Sequence, residues 1–146
     1  MSARRAFDDV HTWFGPEHVA ETRERYPGAI VVVHPECRHE VVAAADRVGS
    51  TSFIVKVVEE ASPGATIAIG TEINLVQRLA MEHPDKTVVP LTRSLCPNMY
   101  RINLMNLRRT MEDLVATGGQ HSSQVTVPPE TVAGARLALE RMLSMP

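Results

Sequence analysis

Ala29-Ile30-Val31-Val32-Val33, running into His34-Pro35-Glu36-Cys37, is the stretch on which the fold turns. It is an unbroken apolar run, mostly β-branched. A strand with one wet face alternates apolar and polar residues. A run without alternation reads as a strand covered on both faces, as in a parallel sheet. Pro27-Gly28 sets it off from an upstream helix. That helix starts at Phe14-Gly15-Pro16-Glu17, with proline early and acid in the first turn, and continues through Val19, Thr22, Arg23 and Tyr26.

Downstream the pattern repeats. Val41, Val42, Ala45 and Val48 recur at helical spacing until Gly49. Ser50-Thr51-Ser52 offers an N-cap to a helix over 53–61. After the Ser62-Pro63-Gly64 turn, Ala65-Thr66-Ile67-Ala68-Ile69-Gly70 reads as a second buried strand. Thr71-Glu72 opens a helix through Leu75, Val76 and Leu79, which ends near His83-Pro84. Thr87-Val88-Val89-Pro90 is a short third strand. A loop carries Cys96-Pro97, and a helix follows to about residue 116. Beyond a polar loop over 117–124, Val125-Thr126-Val127 is expected as a small edge strand. Pro128-Pro129-Glu130 starts a last helix with Ala133, Leu137, Leu139 and Leu143 as its apolar positions.

Strands alternating with helices at this spacing predict an α/β fold. The expected form is a three-layer α/β/α sandwich with a short, mainly parallel sheet. Three segments are expected. Residues 1–13 are a remnant of a preceding domain or a linker, 14–116 an α/β domain carrying the site loops, and 117–146 a polar loop with a helix packing back.

Composition narrows the function. The chain has 146 residues, 44% hydrophobic and 22% charged, an ordinary soluble profile for one domain. A net charge of −2 gives no basic field for nucleic acid or an anionic membrane, and 4% aromatics give no base-stacking platform. No segment approaches the roughly 20 apolar residues of a membrane span. The start turns acidic at Asp8-Asp9, where a signal peptide would be apolar. Cys37 and Cys96 are too few for a disulfide scaffold. The expected compartment is the cytoplasm.

Ligands of open parallel sheets sit at the carboxyl ends of the strands. His34-Pro35-Glu36, Gly70-Thr71-Glu72 and the Cys96 loop all fall there. His34 and Glu36 could bind a polar substrate or move protons, or Glu36 could simply open the next helix. His34, Glu36 and His39 have no known zinc spacing, and Pro35 breaks the helix such a motif needs. Ser50 and Thr51 at a helix start can hold a carboxylate or phosphate, or serve only as a cap. Cys96, before Pro97 and a helix, reads as a thiol near an N-cap, where thiolate is favoured. Its bland alternative, and the one favoured for Cys37, is a small inert hydrophobe. Arg38, Arg23, Arg25, Arg108 and Arg109 are read as solvated faces.

Four blocks together resemble the last part of quinolinate synthase: His34-Pro35-Glu36-Cys37, Ala45-Asp46-Arg47-Val48-Gly49-Ser50-Thr51-Ser52, Gly70-Thr71-Glu72 and Cys96-Pro97-Asn98-Met99. Val127-Pro128-Pro129-Glu130 and the final helix are similar too. The resemblance runs from about His11 onward. It implies one domain of a three-domain α/β enzyme around a [4Fe–4S] cluster, to which each domain gives one cysteine. The implied reaction condenses iminoaspartate with dihydroxyacetone phosphate to quinolinate, in NAD biosynthesis. L-Aspartate oxidase or aspartate dehydrogenase would supply the iminoaspartate.

The implied roles fall on matching residues. Glu36 and His34 are catalytic. His34, Pro35, Glu36, Ser50 and Thr51 contact substrate. Cys96 is the cluster ligand. Family members are much longer, and their second cysteine opens a Cys-x-Val-His pattern. Here that pattern reads Asp8-Asp9-Val10-His11, so one of three ligands remains. The expectation is a C-terminal fragment, inactive alone. The alternatives are a non-catalytic anion-binding α/β module, or the C-terminal half of a split enzyme.

Overall fold

Strand β1 (Ile30–Val33) has no wet face: Val31, Val32 and Val33 are all fully buried. Successive strand side chains point to opposite faces, so each face needs its own cover. Val32 packs with Ile54, Val58, Ile69, Val76 and Leu79. Val31 and Val33 pack with Phe14, Val19, Val41 and Ala68. Helices α1 (Pro16–Arg25) and α2 (His39–Ala44) therefore cover one face, and α3 (Thr51–Glu60) and α4 (Ile73–Glu82) the other. This is the three-layer α/β arrangement the unbroken run predicts.

The computed structural model describes residues 10–119 and 124–145. The chain divides into two compact units, Met1–Tyr100 and Arg101–Pro146. The first holds a four-stranded, all-parallel sheet in the order β2-β1-β3-β4. Its other strands are β2 (Arg47–Val48), β3 (Thr66–Gly70) and β4 (Thr87–Pro90). From β1 the chain steps outward to β2, then returns past β1 to build β3 and β4. That reversal puts α2 and α3 on opposite faces. It also sets the topological switch point, where open α/β sheets bind ligands, at the carboxyl ends of β1 and β3.

Gly70 closes β3 where space is tightest. Its register partner is Val33, and a Cβ at Gly70 would lie 2.8 Å from Val33 Cγ1 and 2.9 Å from Leu91 Cδ1. At the sheet's edge, Thr87 and Leu91 donate their N–H groups to Ala65 and Ile69. Pro90 occupies an outward-facing position between them. Its missing N–H costs the ladder nothing and denies a bond to any further strand.

Two expectations fail. The helix expected to reach Val48 ends at Ala44, and Arg47–Val48 is strand β2. Asp46 is the reason. Its carboxylate accepts the Val31 N–H at 2.8 Å and an Arg23 N–H at 2.9 Å. Its own N–H donates to Val31 O at 2.9 Å. Arg23 also caps α2 by donating to Ala44 O at 3.0 Å, so it is more than a solvated charge. The second failure is Val125-Thr126-Val127, which forms no strand. Both valines are exposed, with no strand among the described residues of their unit to pair with.

The second unit contributes α5 (Leu104–Ala116), capped by the Asn103 side chain at 2.9 Å from Asn106 N, and α6 (Pro129–Leu143). Val10 and His11 fall in the segment expected as a remnant or linker, and both are buried, next to the fully buried Phe14.

Candidate functional site

The site is built on the chain reversal. His34 leaves β1 with its N–H still bound to Gly70 O at 3.2 Å. Pro35 then turns the chain. Glu36 N donates back to His34 Nδ1 at 3.3 Å, and Cys37 N to His34 O at 3.1 Å. This tight turn folds the Glu36 carboxylate back toward the imidazole, with Oε2 3.5 Å from His34 Nδ1.

A second imidazole enters from far away in sequence. His11 opens a 3₁₀ turn, His11–Trp13, held down by Val10 and Phe14 in the core. Ser94 Oγ donates to Val10 O at 3.3 Å and fixes this segment to the loop after β4. The His11 ring stacks on His34, with centroids 4.2 Å apart and planes 12° apart. Its Nδ1 lies 3.3 Å from Glu36 Oε2. Its Nε2 lies 3.2 Å from Thr71 Oγ1, a buried hydroxyl just past β3.

Thr71, His11 and Glu36 thus form a hydroxyl–imidazole–carboxylate chain. When Nδ1–H of His11 donates to Glu36, Nε2 is left to accept from Thr71. Glu36 is 62% exposed at its side chain and His11 11%, so the chain runs from solvent inward. Glu72, also buried, is occupied as the cap of α4: it accepts from Asn74 N at 2.7 Å and Asn74 Nδ2 at 3.1 Å.

The other expected residues stand as follows. Ser50 and Thr51 lie at the start of α3, after β2, on the same carboxyl edge. Gly49 N donates to Val33 O at 3.1 Å and joins that turn to the end of β1. Ser50 Oγ caps α3 by accepting from Phe53 N at 3.4 Å, and Thr51 is exposed. Cys96 follows Ser94, whose carbonyl accepts from Ile73 N at 3.0 Å, so its loop starts at the same edge.

Cys96 does not sit at an α-helix N-cap, as the sequence suggested. A 3₁₀ turn, Met99–Arg101, intervenes before the Asn103 cap of α5. The helix-dipole argument for its thiolate therefore lapses. Met99 N–H points at Sγ from 3.5 Å. Cys37 is buried in the apolar cluster with Phe14 and Val41, its Sγ 3.7 Å from Gly70 O. His39 is exposed at the start of α2. Asp8 lies outside the described residues.

Sequence reasoning missed His11 and Thr71 as site residues. Both carried a signal: His11 ends the Asp8-Asp9-Val10-His11 pattern, and Thr71 follows a buried strand.

Comparison with known proteins bears on this arrangement. The family model described as "NadA: Quinolinate synthetase A protein" matches residues 2–144. A quinolinate synthase of Nocardioides sp. is 47% identical over 144 residues, covering 97% of this chain and 36% of that protein. One of Streptomyces coelicolor is 49% identical over 146 residues, covering 97% and 36%. One of Bacillus subtilis is 43% identical over 138 residues, covering 93% and 37%. The chain thus spans little more than a third of these relatives' length. With a match over nearly all its residues, it belongs to the quinolinate synthase family.

Proposed function

We propose that this chain carries the proton-transfer edge of a quinolinate synthase. The reaction joins iminoaspartate to dihydroxyacetone phosphate and ends, after loss of water, in quinolinate. The observation that supports this reading is the Thr71–His11–Glu36 chain at the carboxyl ends of β1 and β3, with His34 stacked on His11. Glu36, the exposed end, exchanges protons with substrate. His11 donates Nδ1–H to that carboxylate and orients it, and Thr71 holds the inner nitrogen. His34 accepts the Glu36 N–H at Nδ1, which leaves its proton on Nε2 as a donor to substrate oxygen. Pro35 fixes the turn that sets these groups. Ser50 and Thr51 bind a substrate carboxylate or phosphate at the start of α3. An oxidase or dehydrogenase of L-aspartate supplies iminoaspartate. The proposed compartment is the cytoplasm; no described helix is long and apolar enough to cross a membrane.

The family's [4Fe–4S] cluster fits this chain only in part. Cys96 is half-buried in the edge loop and can give one thiolate, whereas Cys37 is enclosed in apolar side chains. The sequence has no third cysteine. One accessible thiol cannot hold a cluster that needs three, so the other two ligands lie outside these 146 residues.

A chimaera tests the proposal. Residues from Val10 onward replace the matching part of the Streptomyces coelicolor relative, whose own cysteine is kept at the position of Asp8, and quinolinate is measured after anaerobic iron–sulfur reconstitution. The chimaera is expected to form quinolinate, and the isolated chain none. An inactive chimaera that folds and binds its full iron would overturn the proposal.

A further inference from the structure

We propose that His11, His34 and Glu36 bind a divalent cation of the zinc class, with three protein ligands and a fourth position open to water. The inference goes beyond the quinolinate synthase reading and does not depend on it, although the same side chains take part. One ligand atom from each residue lies within 4.8 Å of the other two. A tetrahedral zinc ion with bonds of about 2.0–2.1 Å holds its ligands roughly 3.3 Å apart. Glu36 Oε2 is already 3.3 Å from His11 Nδ1 and 3.5 Å from His34 Nδ1. Two of the three edges therefore have the required length before any ion arrives.

The third edge is where the protein must move. With the rings stacked at 12°, their lone pairs run side by side, and a shared ion needs them to converge. His34 is the ring that tilts. It sits in a loop, and the Glu36 N–H bond it gives up is a long one, 3.3 Å. The Glu36 side chain is 62% exposed and free to follow. His11 stays in place, buried and held through Nε2 by Thr71 at 3.2 Å. A hydrogen bond on the far ring nitrogen is the outer support that metal-bound histidines have. With Nδ1 on the ion, the ring proton moves to Nε2, which donates it to Thr71.

The donor set chooses the ion. Two imidazoles and one carboxylate suit Zn²⁺, Co²⁺, Ni²⁺ and Cu²⁺, whereas Mg²⁺ and Ca²⁺ need mainly oxygen. An ion here takes the Nδ1 position of His11 and the Glu36 carboxylate, so it breaks the bond between them. Zinc-class ions are thus inhibitors of any activity that uses that pair.

The test is binding to the 146-residue chain itself, with both cysteines changed to serine so that no thiolate competes. Co²⁺ is the probe, followed through its visible tetrahedral bands. The expected result is saturation at a single ion, displaced by Zn²⁺. His11→Gln and Glu36→Gln should each weaken binding more than about tenfold. Thr71→Val, which removes the outer support, should weaken it about tenfold. His39→Gln should change nothing. In the unsubstituted chain, Zn²⁺ should shift the ring-nitrogen NMR signals of both His11 and His34, a readout that needs no variant. The proposal is overturned if those signals stay put at saturating Zn²⁺, or if cobalt binding survives His11→Gln and is lost in His39→Gln. Neither outcome touches quinolinate formation by the chimaera, and an inactive chimaera leaves the ion site standing.

Discussion

The two ends of the sheet differ in what the chain places there. At the amino ends the connections are turns: Pro27-Gly28, Ser62-Pro63-Gly64 and Pro84-Asp85, with Gly28 and Gly64 at positive φ. They reverse the chain, and the ion pairs beside them, Lys86–Asp85 at 3.7 Å and Arg23–Asp46 at 2.9 Å, fasten the turns. At the carboxyl ends stand His34, Glu36, Thr71 and the Cys96 loop, joined by His11 from outside the sheet. The difference follows from topology. The reversal at β1 sends the helices that follow β1 and β3 to opposite faces, and the carboxyl ends of those strands are where open α/β sheets bind ligands. One end is shaped for economy of connection and the other for chemistry.

If that division holds, substitutions at the carboxyl edge change function and leave stability alone, and substitutions beneath the sheet do the reverse. The largest expected effect is Cys96→Ser in the chimaera: iron content should fall to background, because a hydroxyl is a poor soft-metal ligand. Cys37→Ser should keep its iron. The reverse result would mean that the two thiols are assigned the wrong way round. Next is His11→Gln, which should lower chimaera kcat roughly 10²- to 10⁴-fold, the usual share of a general acid–base group, without moving the melting temperature. A matching loss of stability would blur the comparison.

Beneath the sheet, Leu79→Ala should cost about 2–5 kcal/mol in urea unfolding, since Leu79 is fully buried between α4 and the strands. Thr51→Ala should weaken substrate binding by about 1–3 kcal/mol in KM while sparing iron. The smallest effect is Asp46→Asn, at about 1 kcal/mol for a half-exposed pair. Burial acts to raise the Asp46 pKa, but the Arg23 hydrogen bond, the Val31 N–H and the charges of Arg23 and Arg47 outweigh it and hold it below 3.8. A depressed carboxyl stabilises the fold above its unfolded pKa and loses that contribution as pH falls through the folded value. The wild type should therefore lose stability below about pH 4 more steeply than Asp46→Asn.

Legibility in the sequence followed how local each cause was. β1, β3 and β4 could be read because each is a self-contained apolar run between turn signals. β2 could not: Arg47 and Val48 make no run, and the strand exists because Asp46 binds Val31 and Arg23. His34 and Glu36 were readable as residues just past a buried strand. His11 was not, because only folding brings it to Thr71, 60 residues away. The thiolate setting of Cys96 was misread for a related reason: a 3₁₀ turn stands where the pattern implied a helix start.

The central claim is that Thr71, His11 and Glu36 act as one proton chain, and the tautomer of His11 tests it most directly. Long-range proton–nitrogen NMR of the isolated chain, at a pH where His11 is neutral, reports which ring nitrogen carries the proton. The account predicts a proton on Nδ1, facing Glu36, with Nε2 bare toward Thr71, and a shift toward the other tautomer in Glu36→Gln. A neutral His11 protonated on Nε2 in the wild type, unchanged by Glu36→Gln, would contradict it.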